Sequence, residues 1–270
     1  MSAEKSTEKS GGKHMIRAAF FDIDGTLLPH STGRVPASAE QAVRDLREKG
    51  IKVFAATGRH MLELEELPLD GLCFDGYILL NGQICSDGAG NLLYAVSVPA
   101  DDTASLASLF EKCEVPVMFI EEKRMYMNFV NDRVRRVQAD ILTAVPEISV
   151  YSGVPVYQCV VYVDETESRD LPRILPGCRI TRWNSGAVDV ISKDGSKVRG
   201  IQYMMGKYSL RQDEIIAFGD GENDREMLSF AGTGVAMRDA SDAVKRCADY
   251  VTGSADGDGI SEALKYYGIL

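Results

Sequence analysis

Short apolar runs alternate with amphipathic segments from Ile16 onward, and this rhythm constrains the fold more than any other feature of the chain. "IRAAFFDI" and "IKVFAAT" are short, apolar and rich in residues that suit a pleated surface, so they read as buried strands. Between them, "PASAEQAVRDLREKG" places Pro36 near a helix start, Ala39, Val43 and Leu46 on one face, and Gly50 at the C-cap. A second helix ("RHMLELEEL") and a third strand ("DGYILL") continue the order expected of a parallel sheet with crossover helices.

The pattern then changes. "QICSDGAGNLLYAVSV" reads as two strands around a Gly-rich turn, and the hairpin is expected to open an inserted domain. Between about Val98 and Val188, paired strands ("VPVMFIEE", "RMYMNFV", "VYQCVVYVD", "CRITRWN") are interrupted by the helices "DDTASLASLFEKC" and "DRVRRVQADILTAV", the order of an α+β module with an antiparallel sheet. After "AVDVIS" the first rhythm returns, from the helix "SKVRGIQYMMGKY" through "EIIAFGD" to the helix "GISEALKYYG". The expected fold class is therefore α/β. A doubly wound, Rossmann-like parallel-sheet core (residues 15–85 and 189–270) is split by an α+β cap at residues 86–188.

Composition narrows the partners. Lys and Arg number 30 against 40 Asp and Glu, a net charge of −10, which argues against nucleic acid and anionic membranes but leaves room for a small phosphorylated substrate. No run approaches the ~18 apolar residues of a membrane span. Cys73, Cys85, Cys113, Cys159, Cys178 and Cys247 are scattered, with no C-x-x-C pair, and read as reduced thiols of a cytoplasmic protein. The polar opening "MSAEKSTEKSGGKH" lacks the apolar centre of a signal peptide. It reads as an expression leader or a disordered segment ahead of Met15. The oligomeric state is left open by this pattern.

In open α/β sheets, ligands bind beyond the carboxyl ends of the strands. Here those ends carry Asp22-Ile23-Asp24-Gly25-Thr26, Thr57-Gly58-Arg59 and Asp220-Gly221-Glu222-Asn223-Asp224, and Lys197 opens the helix after "VISKDGS". Carboxylates, a hydroxyl, an amide and a lysine match the needs of Mg²⁺-assisted phosphoryl transfer: hard oxygen ligands, donors for phosphate oxygens and a nucleophile.

D-x-D-G-T-L at 22–27, T-G-R at 57–59, Lys197 before a helix and G-D-G-x-N-D at 219–224 resemble the four motifs of the haloacid dehalogenase superfamily. The insertion, "GVAMRDASDAVKRCADYVT" and the late "DGDGI" resemble its Cof-type sugar phosphatases, class IIB with a C2-type cap. The resemblance implies a Mg²⁺-dependent phosphatase of small phosphate esters, most of all sugar phosphates. In it, Asp22 is the nucleophile that becomes an aspartyl phosphate, and Asp24 is the general acid and base. It further implies that Asp22, the Asp24 backbone carbonyl, Asp220 and Asp224 hold the metal. Thr57, Asn223, Lys197 and the N–H groups of Ile23 and Gly58 would bind phosphate. "SKDGSK" departs from the family's Pro-Lys-Gly and leaves Lys193 as a competitor to Lys197. A phosphomutase of the same superfamily is the enzyme alternative. A phospho-accepting signalling module is disfavoured by Asp24, which promotes turnover.

Blander readings stand beside these. Arg59 pairs with a neighbouring carboxylate to hold its loop, His60 is a solvated helix residue, and Asp224 also suits a helix N-terminal turn. Asn81-Gly82 is a turn signal, with Asn81 a candidate substrate contact at the mouth between core and cap. In the cap, Arg182, Trp183 and Asn184 cluster at a strand end, making Arg182 a second candidate contact and Trp183 either a packing anchor or a recognition group. Tyr126 and Asn128 alternate on a strand whose inward face the pattern leaves open.

Overall fold

The computed structural model describes residues 15–141 and 143–270. The expected leader at residues 1–14 lies outside them. Fourteen strands and nine α-helices are described among these residues. The strands are β1 (Ala18–Phe21), β2 (Lys52–Ala56), β3 (Gly76–Leu79), β4 (Ile84–Asp87), β5 (Leu92–Ala95), β6 (Val117–Ile120), β7 (Met125–Met127), β8 (Glu147–Ile148), β9 (Gln158–Val161), β10 (Cys178–Asn184), β11 (Ala187–Ser192), β12 (Ile215–Gly219), β13 (Thr233–Ala236) and β14 (Tyr250–Val251). The helices are α1 (Ala37–Glu48), α2 (Met61–Leu64), α3 (Ala100–Lys112), α4 (Asp132–Asp140), α5 (Leu171–Ile174), α6 (Lys197–Tyr208), α7 (Arg225–Phe230), α8 (Asp242–Lys245) and α9 (Gly259–Tyr266). None is long and apolar enough to cross a membrane.

An eight-stranded sheet has the order β14-β13-β12-β1-β2-β3-β4-β5. Its first six members run parallel, with β1 between β12 and β2. Period-two alternation explains why β1 is apolar throughout. Ala19 and Phe21 pack with Val43 and Leu46 of α1 and Leu264 of α9, whereas Ala18 and Phe20 face Ile201 and Met204 of α6 and Leu228 of α7. Phe20 stacks on Phe54 and Phe21 on Phe218, each with ring centroids 4.8 Å apart. All four rings are fully buried, and each contributes about 1.5–3 kcal/mol of apolar transfer. Chain direction diverges on the two sides of β1, so a crevice opens beyond the carboxyl ends of β1, β2 and β12.

Both expected domain junctions move. The hairpin β4–β5 pairs antiparallel with β3 and extends the eight-stranded sheet, so it does not open the cap. The cause is the turn Leu80–Gly82, where Leu80, Asn81 and Gly82 have φ of 50°, 55° and 92° and the chain reverses beside β3. At the other end, β11 joins the cap sheet through β10 and β9, so the cap runs to Ser192 instead of ending at 188. That sheet has the order β10-β11-β9-β6-β7-β8. One face packs on Leu106 and Phe110 of α3. The opposite face, with Met118, Val160 and Tyr162, joins Val134 and Val137 of α4 in a cluster that runs unbroken into the core domain.

Helix α2 is a single turn, shorter than its sequence pattern predicts, and Pro68 follows closely enough to disfavour continuation. His60 is the N-cap of that turn: its Nδ1 accepts from Leu62 N at 3.2 Å, and Glu63 Oε2 accepts from His60 N at 2.8 Å. Its Nε2 lies 3.0 Å from the Glu122 carbonyl in the β6–β7 loop of the cap. The expected solvated residue is thus buried and bridges core to cap.

Candidate active site

Three strand ends and one helix start build the site. Asp22 follows β1 and keeps its N–H in the sheet by donating to the Phe218 carbonyl. Beyond it the chain turns sharply, with Gly25 N–H donating to Leu28 O and Leu28 N–H to Ile23 O, both at 2.8 Å. Gly25 has φ of 79°, and a Cβ there would fall on the Asp220 carboxylate. Only glycine lets this loop and Asp220 come together. Thr26 Oγ1 donates to Asp220 Oδ1 at 2.8 Å. Thr26, which the strand-end run includes without a role of its own, is a supporting residue here.

After β12, the Asp224 carboxylate reaches back over its own loop. Oδ2 accepts from the N–H groups of Asp220 and Gly221 at 3.0 and 2.9 Å, so Asp224 clamps the loop and makes no side-chain cap to α7. Ser196 caps α6, accepting from Arg199 N–H, and sets Lys197 as that helix's first residue. Lys197 Nζ donates to Asp22 Oδ1 at 2.7 Å and to Asp224 Oδ1 at 2.6 Å, with all three groups buried. Lys193 lies elsewhere, donating to the Pro176 carbonyl at 2.7 Å, so Lys197 is the lysine of this cluster.

Ligand-capable oxygens of Asp22, Asp220 and Asp224 all lie within 4.8 Å of one another. Burial and repulsion from Asp224 hold the Asp22 carboxyl well above the usual carboxylate range, against the pull of Lys197. Burial likewise raises Asp220, although Thr26 works against it. Burial disfavours the Lys197 charge, yet Asp22 and Asp224 outweigh it and hold the ammonium charged. Three carboxylates against one ammonium leave negative charge uncompensated. That donor set, all hard oxygens in a compact group, fits a divalent cation such as Mg²⁺.

At the mouth, Arg59 grips Asp24 through two hydrogen bonds, Nε to Oδ2 at 2.7 Å and Nη2 to Oδ1 at 2.8 Å. This is the loop-holding pair expected of Arg59, and it presents the Asp24 carboxylate in a fixed orientation. Thr57 is buried and its N–H donates to Ile78 O. Among the described residues, the N–H groups of Ile23 and Gly58 have no protein acceptor. Asn223 Nδ2 donates to Asn81 Oδ1 at 2.9 Å, and the Asn81 amide borders Gly58. Asn81 therefore stands on the rim beside Asn223, as well as forming the turn.

The cap candidates fare differently. The Arg182 guanidinium donates to the carbonyls of Val163, Asn184, Ser185, Ala187 and Asp164 and to Ser168 Oγ, at 2.8–3.4 Å. It is a staple for the end of its own sheet, and the expected substrate contact is withdrawn. Tyr126 donates to Glu121 Oε1, and Asn128 is held by Phe110 O, Val115 O and Val117 N, so both are structural. Trp183 is part-exposed and donates from Nε1 to Asp189 Oδ1 at 2.8 Å.

With this geometry in place, similarity to known proteins becomes informative. The family model of haloacid dehalogenase-like hydrolases matches residues 19–264. YkrA of Bacillus subtilis (strain 168), which carries a provisional phosphatase name, is 31% identical over 254 residues, 93% of this chain and 97% of that protein. The solved structure of BT1666 from Bacteroides thetaiotaomicron, described among phosphatases of the same superfamily, superposes with a TM-score of 0.87 at 31% identity over 99% of this chain and all of its own. BT4131, described as a subclass IIB sugar phosphatase, superposes with a TM-score of 0.81 at 36% identity, covering 94% of this chain and 100% of that one.

Proposed function

The chain belongs to the haloacid dehalogenase-like hydrolases and is a phosphatase; from that premise we propose that it hydrolyses small phosphorylated metabolites, sugar phosphates first among them, with Mg²⁺ and through a phosphoenzyme. The observation that carries this reading is the meeting of Asp22, Asp220 and Asp224 around Lys197, with Asp24 held at the mouth. The sugar class rests on the likeness to BT4131, whose description names a sugar phosphatase.

Asp22 attacks phosphorus: a bond forms between its carboxylate oxygen and phosphorus, and the bond from phosphorus to the leaving alkoxide breaks. Asp24 gives that alkoxide its proton, then takes one from the water that hydrolyses the aspartyl phosphate. Lys197 fixes Asp22 and offsets charge on the phosphoryl oxygens. Thr57, Asn223 and the N–H groups of Ile23 and Gly58 supply further donors. Asp22, Asp220, Asp224 and the Asp24 carbonyl would hold Mg²⁺, which when bound lowers the repulsion between two anionic reactants.

The test is a panel of hexose, pentose, nucleotide and cofactor phosphates with Mg²⁺, compared by kcat/KM for wild type and Asp22→Asn. Expected are highest values for sugar phosphates and no phosphate release by Asp22→Asn. Wild-type turnover by that variant refutes the nucleophile assignment. Exchange of phosphate between two sugar positions without net release favours the phosphomutase instead.

A further inference from the structure

The tip of the cap hairpin β6–β7 reaches the core beside the loop that holds Asp24, and its contacts make it stiff. Glu121 N–H donates to the Arg124 carbonyl at 2.9 Å and closes the turn. The buried Tyr126 donates its hydroxyl to Glu121 Oε1. The Arg124 guanidinium lies over the Tyr126 ring, 4.2 Å from its centroid, and donates to Ser149 Oγ at 2.6 Å. Glu121 is 6% exposed, and a carboxylate so placed needs its hydrogen bond. Together these contacts fix the direction of the next carbonyl, that of Glu122.

That carbonyl meets His60. The ring's Nδ1 accepts from Leu62 N–H at 3.2 Å, so it carries no proton. The proton sits on Nε2, which donates to Glu122 O at 3.0 Å. One neutral tautomer therefore serves both bonds. His60 is 1% exposed, which leaves little room for water to replace either partner.

The contact matters because of what His60 adjoins. Arg59 grips Asp24 with two bonds, and its backbone is pinned on both sides. Arg59 N–H donates to Thr57 Oγ1 at 3.1 Å, and Arg59 O accepts from Leu80 N–H at 3.2 Å. Two adjacent residues of one rigid loop thus face the acid and the cap. Serine, asparagine or aspartate would cap α2 as well as histidine does. Only a longer side chain with a donor at its far end also reaches the cap.

We propose that His60 is a positioning residue that seats the cap on the loop fixing Asp24, so that a docked cap holds the leaving oxygen within reach of the proton Asp24 gives. Lid closure of this kind completes a site and excludes water from it. The inference rests on the acid/base reading of Asp24 and adds the group that ties that acid to the cap.

The test separates the two bonds of His60. Asparagine keeps the N-cap but falls short of Glu122, whereas glutamine reaches Glu122 but is not among the favoured N-caps. kcat/KM, which covers the steps up to departure of the leaving group, is measured for glucose 6-phosphate, phenyl phosphate and p-nitrophenyl phosphate. The two aryl esters are alike in shape, but p-nitrophenolate leaves without a proton and the other leaving groups need one. In His60→Asn, kcat/KM for glucose 6-phosphate and phenyl phosphate should fall about threefold to tenfold, the effect of one hydrogen bond, and that for p-nitrophenyl phosphate should hold. His60→Gln should restore both values although it melts lower than His60→Asn. Amide exchange at residues 121–124 should be faster in His60→Asn and near wild type in His60→Gln, with β9 unmoved in both. A uniform loss across the three esters, activities that follow melting temperature, or unchanged exchange at 121–124 in His60→Asn overturns the proposal. Asp24→Asn, run alongside, keeps the two readings apart. If it shows no dependence on the leaving group, the acid role falls and the inference with it; dependence in Asp24→Asn but not in His60→Asn overturns the inference alone.

Discussion

Replacing Lys197 with Met keeps most of the side-chain volume and removes the buried cation between Asp22 and Asp224. An intact buried ion pair is weak evidence of net stabilisation, but removing one partner leaves uncompensated charge and costs about 3–5 kcal/mol. The upper end is expected here, because Lys197 makes bonds of 2.7 and 2.6 Å to two carboxylates with side-chain exposures of 8% and 0%, and Asp220 stands in the same cluster. At about 2–4 °C per kcal/mol for a chain of this size, the melting temperature should fall on the order of 10 °C. The assay is thermal unfolding in EDTA at neutral pH, repeated with increasing Mg²⁺. The metal should recover part of the loss by restoring positive charge. Adding Asp224→Asn to the variant should cost less than the two single changes summed, by about 1–3 kcal/mol. A Lys197→Met protein that melts with wild type in EDTA, or a strictly additive double variant, refutes the reasoning.

Three further outcomes are expected. Asp24→Asn should slow turnover by about 10²–10⁴-fold and let acid-stable phosphoenzyme accumulate in rapid-quench experiments; an unchanged rate removes Asp24 from proton transfer. Arg182→Met should destabilise the cap by about 2–3 kcal/mol by leaving carbonyls unpaired, read as faster amide exchange in Val163–Asp164 and β10–β11, with substrate preferences unmoved; a selective rise in KM for sugar phosphates would return Arg182 to the substrate. Asp189 titrates at about 7 in the fold, held up by burial and by Glu63 against the Trp183 and Gln158 donors, with Tyr162 alongside, and near 3.9 when unfolded. Its protonated form is the one the fold prefers, so its contribution is fully present below about pH 4 and is lost as pH rises through about 7. The melting temperature of Asp189→Asn should therefore gain on wild type between pH 5 and 8, and parallel curves would contradict the environment described for Asp189.

Much of the catalytic end was legible because strand ends are local features. The run that buries Phe20 and Phe21 also terminates the strand, and Asp22 and Asp24 follow it by covalent connection alone. Thr57 and Asp220 follow β2 and β12 in the same way. Arg59 follows β2 at the same sheet edge, so a carboxylate partner could be expected there, but that the partner is Asp24, 35 residues away, follows from the pairing of β1 with β2. The cap was harder. Arg182 has the composition of a ligand-binding arginine, yet its donors are absorbed by carbonyls brought together from Val163 to Ala187. His60 sits in a polar stretch, and only the approach of the Glu122 loop buries it.

The chain order of apolar runs, helical faces and glycines determined a parallel α/β core with an insertion, and with it the strand-end addresses of Asp22, Thr57 and Asp220, because these depend on period and connectivity. Tertiary structure alone decided that β4–β5 extends the core sheet, that β11 completes the cap, that Lys197 lies between Asp22 and Asp224, and that Arg59 holds Asp24. Each of those facts is a contact between segments far apart in sequence. Strand register fixes which face a side chain takes, and a shift of one residue would reverse it.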